Sequence, residues 1–528
     1  MYYSARVNNP AAPNEPKRSS AGSTEHRRLL AVLARTWAFA PIVGISAGLL
    51  MLVRLFIPGP IGMADNGDGP SRMCGLNLAV DVPKGSVRWF QFLNTRYNYA
   101  WRGDCTKSDT YTSSEQVLLH LAKPLSHLWG FPGVLDLRAL GLLYCALVAF
   151  SFTVFAAALR GRLIVRLLIC AALFVVVGDT AFAGYALSPY SELAGLVGIQ
   201  FVIAGAVHFG GTTRAKQGGL LLFTVGAVLT ITSKTQAMTL VAPFAALMLV
   251  TRVPLSRLPG LSRLRGRFAP RVLPAVAVLL IAVSGVFTLQ TQMKAFEPIN
   301  RTEMLFDGVL GHSSDPAQTA KDLGLSQHWV KYKGIDWWKV DAPEKDPAWS
   351  TVKGKMTYGN IATYLVKHPG VTASITLGGF DDFAAAHPDY LGSYPAKAGH
   401  RPGTLETRLT LYSDFSRMLG RVLFPALLAL GLFGFFWYRR IRDNPRRAAF
   451  VAVMISMIGV VAAQFVTAIY GEAIEDTKHL VYGVFAGGLA IVLTAAAVFC
   501  CPPESTTAAD GRDSNGEVPV SGTAAVAG

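Results

Sequence analysis

Four short clusters in this sequence pair ionisable side chains with residues that turn or break a helix. Asp65-Asn66-Gly67-Asp68-Gly69, with Arg72 close behind, sets two carboxylates in a glycine-rich turn that can hold a divalent cation or accept a proton. The same residues also encode a plain Asx turn. Ser188-Pro189-Tyr190-Ser191-Glu192 ends in a carboxylate that opens an apolar run, where it serves equally well as a first-turn helix charge. Ser233-Lys234-Thr235-Gln236 places an ammonium at the tip of an apolar hairpin whose arms are each short of a full crossing, the kind of interrupted helix that recurs at membrane binding sites. Glu472, Glu475, Asp476, Lys478 and His479 crowd a tight connection between two apolar runs, which alone would read as a solvated loop.

A set of membrane helices must position these clusters. The chain has 528 residues, 51% hydrophobic and only 16% charged, and a mean hydropathy of +0.36, too apolar for an ordinary soluble protein. Runs near the ~20 apolar residues that cross a hydrocarbon core recur along it, giving about ten crossings. They fall over 37–57, 137–159, 163–177, 193–208, 220–231, 238–250, 272–289, 422–438, 450–470 and 481–500. The predicted fold is therefore an all-α polytopic membrane protein with two long extracytoplasmic loops.

The formal charge of +16 does not point to nucleic acid, because it sits in 27–35, 160–166, 214–216, 252–271 and 439–447. These are alternate loops, as the positive-inside rule requires. The loops 58–136 and 291–418 mix acids and bases almost evenly and fall on the other side. Both termini are thus expected in the cytoplasm, and the membrane is read as a bacterial plasma membrane. The organisation that follows is a disordered cytoplasmic tail over 1–34, a transmembrane module over 35–290 carrying the outer loop 58–136, an extracytoplasmic loop domain over 291–418, C-terminal transmembrane helices over 419–501 and a second disordered tail over 502–528. No cleavable signal peptide is apparent, and the first run reads as a signal anchor. Cys74 and Cys105 share the first outer loop, where an oxidising compartment permits a disulfide. Cys145, Cys170, Cys500 and Cys501 lie in or at the inner ends of spans, without metal-ligand spacing.

This topology, drawn from apolar length and basic loops alone, puts all four clusters on one outer face. Carboxylates from one loop with Lys234, Lys478 and His479 from others could surround a substrate that combines a hydroxyl to be deprotonated with an anionic phosphate. Trp337, Trp338 and Trp349 offer either aromatic faces for sugar rings or the core of a small domain. No Walker A, GxGxxG or HExxH motif occurs, and no repeat of transporter type, so a nucleotide-driven pump is disfavoured. The alternatives are a transporter or flippase of lipid-linked sugars, an envelope glycan polymerase or ligase, and a non-catalytic scaffold in which the clusters are caps and turns.

Between Asp68 and His479 the sequence resembles the multispanning bacterial glycosyltransferases of the GT-C type, most closely the WsfD-like glycan-biosynthesis hexose transferases. The resemblance rests on Asn66-Gly67-Asp68, Tyr190-Ser191-Glu192, Lys234-Thr235-Gln236, Asp476-Thr477-Lys478-His479-Leu480 and the pair His368-Pro369. Asp65, Gly69-Pro70-Ser71 and Pro189 depart from the pattern. The resemblance implies hexose transfer from a polyprenyl-phosphate carrier to a glycan or lipid-linked acceptor of the cell envelope, on the outer face. It makes Asp68 the catalytic base, assisted by Asp65, and Lys234, Lys478, His479 and Arg72 the groups on the donor phosphate. Tyr190, Glu192, Gln236 and Asp476 become partners of the substrate. A divalent cation, Mg or Mn, on Asp65 and Asp68 is optional, and no other cofactor is implied.

Overall fold

A computed structural model describes residues 36–80, 89–98, 111–129, 134–255, 266 and 268–501. Each of the ten apolar runs is a helix: α1 (Thr36–Phe56), α2 (Leu137–Ala158), α3 (Leu163–Val177), α4 (Glu192–Ala206), α5 (Thr213–Ile231), α6 (Val241–Val250), α7 (Val272–Thr291), α8 (Leu423–Arg440), α9 (Pro445–Gly471) and α10 (Val481–Phe499). Among the described residues seven helices are long and apolar enough to cross a membrane, and eight if α3 is taken with the helix bent from it by 54°. The shortfall from ten has a local cause. The segment Thr235–Val250, which holds α6, is short of a full span, and α5 begins with the polar turn Thr213-Arg214-Ala215-Lys216-Gln217. The chain is a multi-pass membrane protein.

Chemistry at the helix ends fixes where the chain turns. The Asp136 carboxylate accepts the Arg138 N–H at 2.9 Å and starts α2. Asp179 accepts the Ala181 N–H at 3.0 Å and, following Gly178, breaks α3 from the next turn. Asn444, with Pro445 at the first position, starts α9. Where α4 crosses α5, a Cβ on Gly198 would meet the Gly226 carbonyl and one on Gly205 the Gly219 carbonyl, so small residues let the two backbones touch. Apolar side chains that elsewhere would seek a core, such as Ile45, Leu49, Leu279, Val283, Leu432 and Phe436, are exposed, as expected where the solvent is lipid.

The polar loops fold over one end of this bundle. In the first, three short antiparallel strands, Ala79–Val80, Arg96–Asn98 and Val134–Asp136, pair Ala79 with Asn98 and Tyr97 with Leu135. Among the described residues this small sheet is the one departure from the expected all-α fold, and it ties the loop to the start of α2. In the second, Phe306, Trp329, Tyr332, Trp337 and Trp349 pack into an aromatic core. Trp337 and Trp349 thus take the domain-core role. The stretch 390–394 then returns to the end of the bundle, where Gly62 N–H donates to Ser393 O at 3.0 Å and Ala64 N–H to Gly392 O at 2.8 Å.

Candidate functional site

The four clusters meet where the helix ends meet the loops. Asp65 Oδ1 accepts the N–H groups of Gly67 (2.8 Å) and Gly69 (2.9 Å), which closes the turn and projects Asp68. The Tyr190 hydroxyl donates to Ala64 O at 2.5 Å and accepts from Asn66 N–H at 2.9 Å, so the second cluster pins the first. Asn66 Nδ2 donates to both oxygens of Glu475 at 2.8 and 2.9 Å, and the Tyr390 hydroxyl donates to the same carboxylate at 3.1 Å. Lys478 Nζ joins the two acidic loops, 2.6 Å from Asp68 Oδ2 and 3.1 Å from Glu475 Oε2, and lies 4.7 Å from the centre of the Tyr190 ring. Ala473 and Glu475 both take left-handed backbone conformations, φ +57° and +48°. Strain of this kind in non-glycine residues persists where the surroundings over-determine it.

Above this network lies a cavity of about 830 Å³ lined by Asp68, Arg72, Lys234, Glu472, Glu475 and His479, with Trp89, Phe90, Tyr111, Phe296, Trp338 and Tyr390 as its aromatic walls. Lys234 is held by Glu192 at 2.9 Å, with the acid fully buried behind it, and His479 pairs with Glu472. Arg72 differs. Its guanidinium stacks at 3.9 Å on the Tyr111 ring and reaches Ser71 Oγ at 2.7 Å, its Nε has no hydrogen-bond partner among the described residues, and the residue is 3% exposed. A buried guanidinium without an ion-paired carboxylate, open to a cavity, is suited to an anion with several oxygens.

Electrostatics follow from that arrangement. Burial alone would raise the Asp68 pKa, but Lys478, Arg72 and Lys234 overcome it and hold the carboxyl far below the usual range. For Glu475, burial is likewise outweighed by Lys478, His479 and the Asn66 hydrogen bond. Burial would lower Lys478, yet Asp68, Glu475, Tyr190 and Glu192 keep it charged well above the ordinary lysine range. Asp65 goes the other way, raised by burial against the two glycine N–H groups.

Several sequence-predicted roles change with this geometry. Among the described residues the cavity lining does not include Lys478, whose side chain is fully buried behind Asp68 and Glu475, so it supports the site from below and does not face a donor phosphate. Asp65 is 2% exposed with one oxygen on the turn, which is the Asx-turn role and not direct assistance. Tyr190 and Glu192 are fully buried supports of Ala64 and Lys234. Gln236 donates to His479 O at 2.7 Å and so positions that residue from behind. Asp476 faces away, into a neighbouring cavity of about 310 Å³ with Asp307, His312 and Asp382.

One oxygen of each carboxylate is taken, Asp68 Oδ2 by the Lys478 ammonium and Asp65 Oδ1 by two backbone N–H groups, while Asp65 Oδ2 is buried without a partner among the described residues. Among the described residues no three His, Cys, Asp or Glu side chains form a metal-holding group. Cys74 is disulfide-bonded; Cys105, its expected partner, lies outside the described residues. His368-Pro369 is a helix junction, where Tyr358–Lys367 ends and Pro369 opens the next helix while His368 stacks on Tyr364 at 4.0 Å.

Sequence reasoning missed Tyr111, Phe296 and Tyr390 as walls of the cavity. Each is a lone aromatic in a polar loop, and Tyr390 comes near Asp68 through the backbone pairing of 390–394 with 62–64 and with Phe90 and Leu93.

A sequence model of the family described as the YfdI N-terminal transmembrane domain matches residues 29–512. The chain belongs to that family. The match takes in every cavity-lining residue, so the cavity lies wholly within the YfdI N-terminal transmembrane domain. No curated protein and no solved structure matches significantly.

Proposed function

We propose that this YfdI-family protein is a membrane hexosyltransferase of GT-C type, moving a hexose from a polyprenyl-phosphate donor to an envelope glycan or lipid-linked acceptor. The observation that carries the reading is one cavity in which a charged carboxylate, Asp68, stands beside Arg72, Lys234 and His479 at the end of a membrane bundle. Arg72 and Lys234 would bind the donor phosphate, and the walls Trp338, Phe90 and Tyr390 would pack against the sugar.

In the reaction the acceptor hydroxyl oxygen attacks the anomeric carbon while Asp68 takes its proton. The bond from that carbon to the phosphate oxygen breaks, and its electrons leave on the polyprenyl phosphate, which Arg72 and Lys234 stabilise. An anionic phosphate on Arg72 and Lys234 would also offset two of the three cations that hold Asp68 acidic. The base would therefore strengthen when the donor is bound, a product of ordinary charge coupling.

Orientation follows from charge. Successive helices alternate in direction, and the basic segments 160–166, 214–216 and 439–447 all lie at the end opposite the cavity. Read with the positive-inside rule, that end would lie in the cytoplasm and the cavity on the outer face of a bacterial plasma membrane.

The deciding experiment uses protein in nanodiscs with radiolabelled polyprenyl-phosphate hexoses and an envelope glycan extract, comparing wild type with Asp68→Asn. Transfer by wild type that is lost in the variant supports the reading. Equal binding of the lipid-linked sugar by both, with transfer by neither, would replace it with translocation of the lipid-linked sugar.

A further inference from the structure

At the end of the bundle away from the cavity, a pocket of about 560 Å³ opens between the junctions of α4 with α5, α6 with α7 and α8 with α9. Four cations from separate segments line it: Lys216, Arg252, Arg271 and Arg442. Among the described residues none of the four is ion-paired, and no Asp or Glu lines the pocket. Like charges brought to one hollow repel each other unless an anion or solvent intervenes. Basic segments on one membrane face need only be near the surface to set orientation, and their gathering about one hollow between three helix pairs is not required by that rule.

The rest of the lining says what kind of anion fits. Leu247, Ala448, Ala449 and Ala452 form an apolar floor, and at its rim Leu249 and Val250 are 71% and 56% exposed. They belong to the last turn of α6, the helix short of a full span, so the pocket is open sideways towards the hydrocarbon as well as towards the polar end. A ligand that suits both surfaces carries a phosphate on an acyl chain. We infer that this pocket binds the phosphate headgroup of an anionic phospholipid of the surrounding leaflet, with its acyl chain along Leu249 and Val250. Basic pockets between membrane helices commonly take such headgroups.

The test uses the full chain purified in detergent, with short-chain phosphatidylglycerol as probe, phosphatidylcholine as the zwitterionic control and inorganic phosphate as competitor, read by native mass spectrometry. The inference expects phosphatidylglycerol to be retained over phosphatidylcholine, with affinity falling about fivefold for each of R252Q, R271Q and R442Q and about a hundredfold for the triple variant. R252K/R271K/R442K should keep the preference, and an unchanged melting temperature in each variant shows that the fold is intact. Should the triple Gln variant misfold, the three single variants and the triple Lys variant decide the matter. Equal retention of the two lipids, or undiminished binding by the folded Gln variants, overturns the inference. Displacement of phosphatidylglycerol by inorganic phosphate at a similar concentration assigns the pocket to a soluble anion and overturns the lipid assignment.

Discussion

Lys478 Nζ sits 2.6 Å from Asp68 Oδ2, yet the lysine is wholly buried while the aspartate side chain is 35% exposed to the cavity. The ammonium therefore holds the carboxylate in place and in its charged form from behind, leaving the cavity side free for a substrate. Asp68→Asn keeps the shape and a hydrogen-bonding side chain but removes the proposed base. Transfer should fall by about 10²–10⁴-fold with little change in expression, measured as label moved from lipid to glycan.

Lys478→Met removes the counter-charge of two acids at once. Asp68 and Glu475 would then face each other uncompensated at the base of the cavity, and loss of one partner of a buried ion pair costs about 3–5 kcal/mol. The partial exposure of both acids puts the expected loss at the lower end. Thermal unfolding in detergent should show a clear drop, with Asp68→Asn/Lys478→Met recovering part of it.

Arg72→Lys keeps the charge but loses the planar fork that stacks on Tyr111. KM for the lipid-linked donor should rise about tenfold with a smaller effect on kcat, and Arg72→Ala should be more severe. An unchanged KM in both variants would remove Arg72 from the donor site.

Asp68 also supplies a pH signature. Its folded-state pKa lies below the unfolded value of about 3.9, so its stabilising contribution is present above that value and lost as pH falls through the folded pKa. The stability difference between wild type and Asp68→Asn should be flat from about pH 6 to 9 and shrink below about pH 4.

Glu303 behaves oppositely. It is fully buried, with Oε1 on the Trp337 N–H at 2.8 Å and Oε2 unpartnered, and burial, with Asp336, Asp307 and Glu344, pushes its pKa to about 8. A raised acid costs stability as pH climbs from its unfolded value of about 4.3 to the folded one. Glu303→Gln should therefore raise Tm by a few degrees, with the gain growing up to about pH 8 and constant beyond.

Apolar length was enough to put a helix on each of the ten apolar runs, seven or eight of which are full spans among the described residues, because the signal is local and strong. Convergence of the four clusters was legible for the same reason: each sits at a helix end, and alternation of direction sends those ends to one side. Depth was not legible. Nothing in Asp476-Thr477-Lys478-His479 tells which side chains reach the cavity, and the short helix Asp476–His479 sends His479 to it, buries Lys478 and turns Asp476 into another hollow. Of the aromatic walls only Trp338 was singled out in the sequence; Trp89, Phe90, Tyr111, Phe296 and Tyr390 escaped because contacts between distant loops leave no periodic trace.

Asp68 enters with the first helix and Lys478 just before the last, 410 residues apart. During synthesis the carboxylate must wait for nearly the whole chain to be inserted before its counter-ion arrives. A nascent chain that ends before Glu472 would lack Glu472, Glu475, Lys478 and His479, and so could not assemble the site. On the proposed reading, a chain cut before Lys478 would carry Asp68 with neither its buried counter-ion nor a working base.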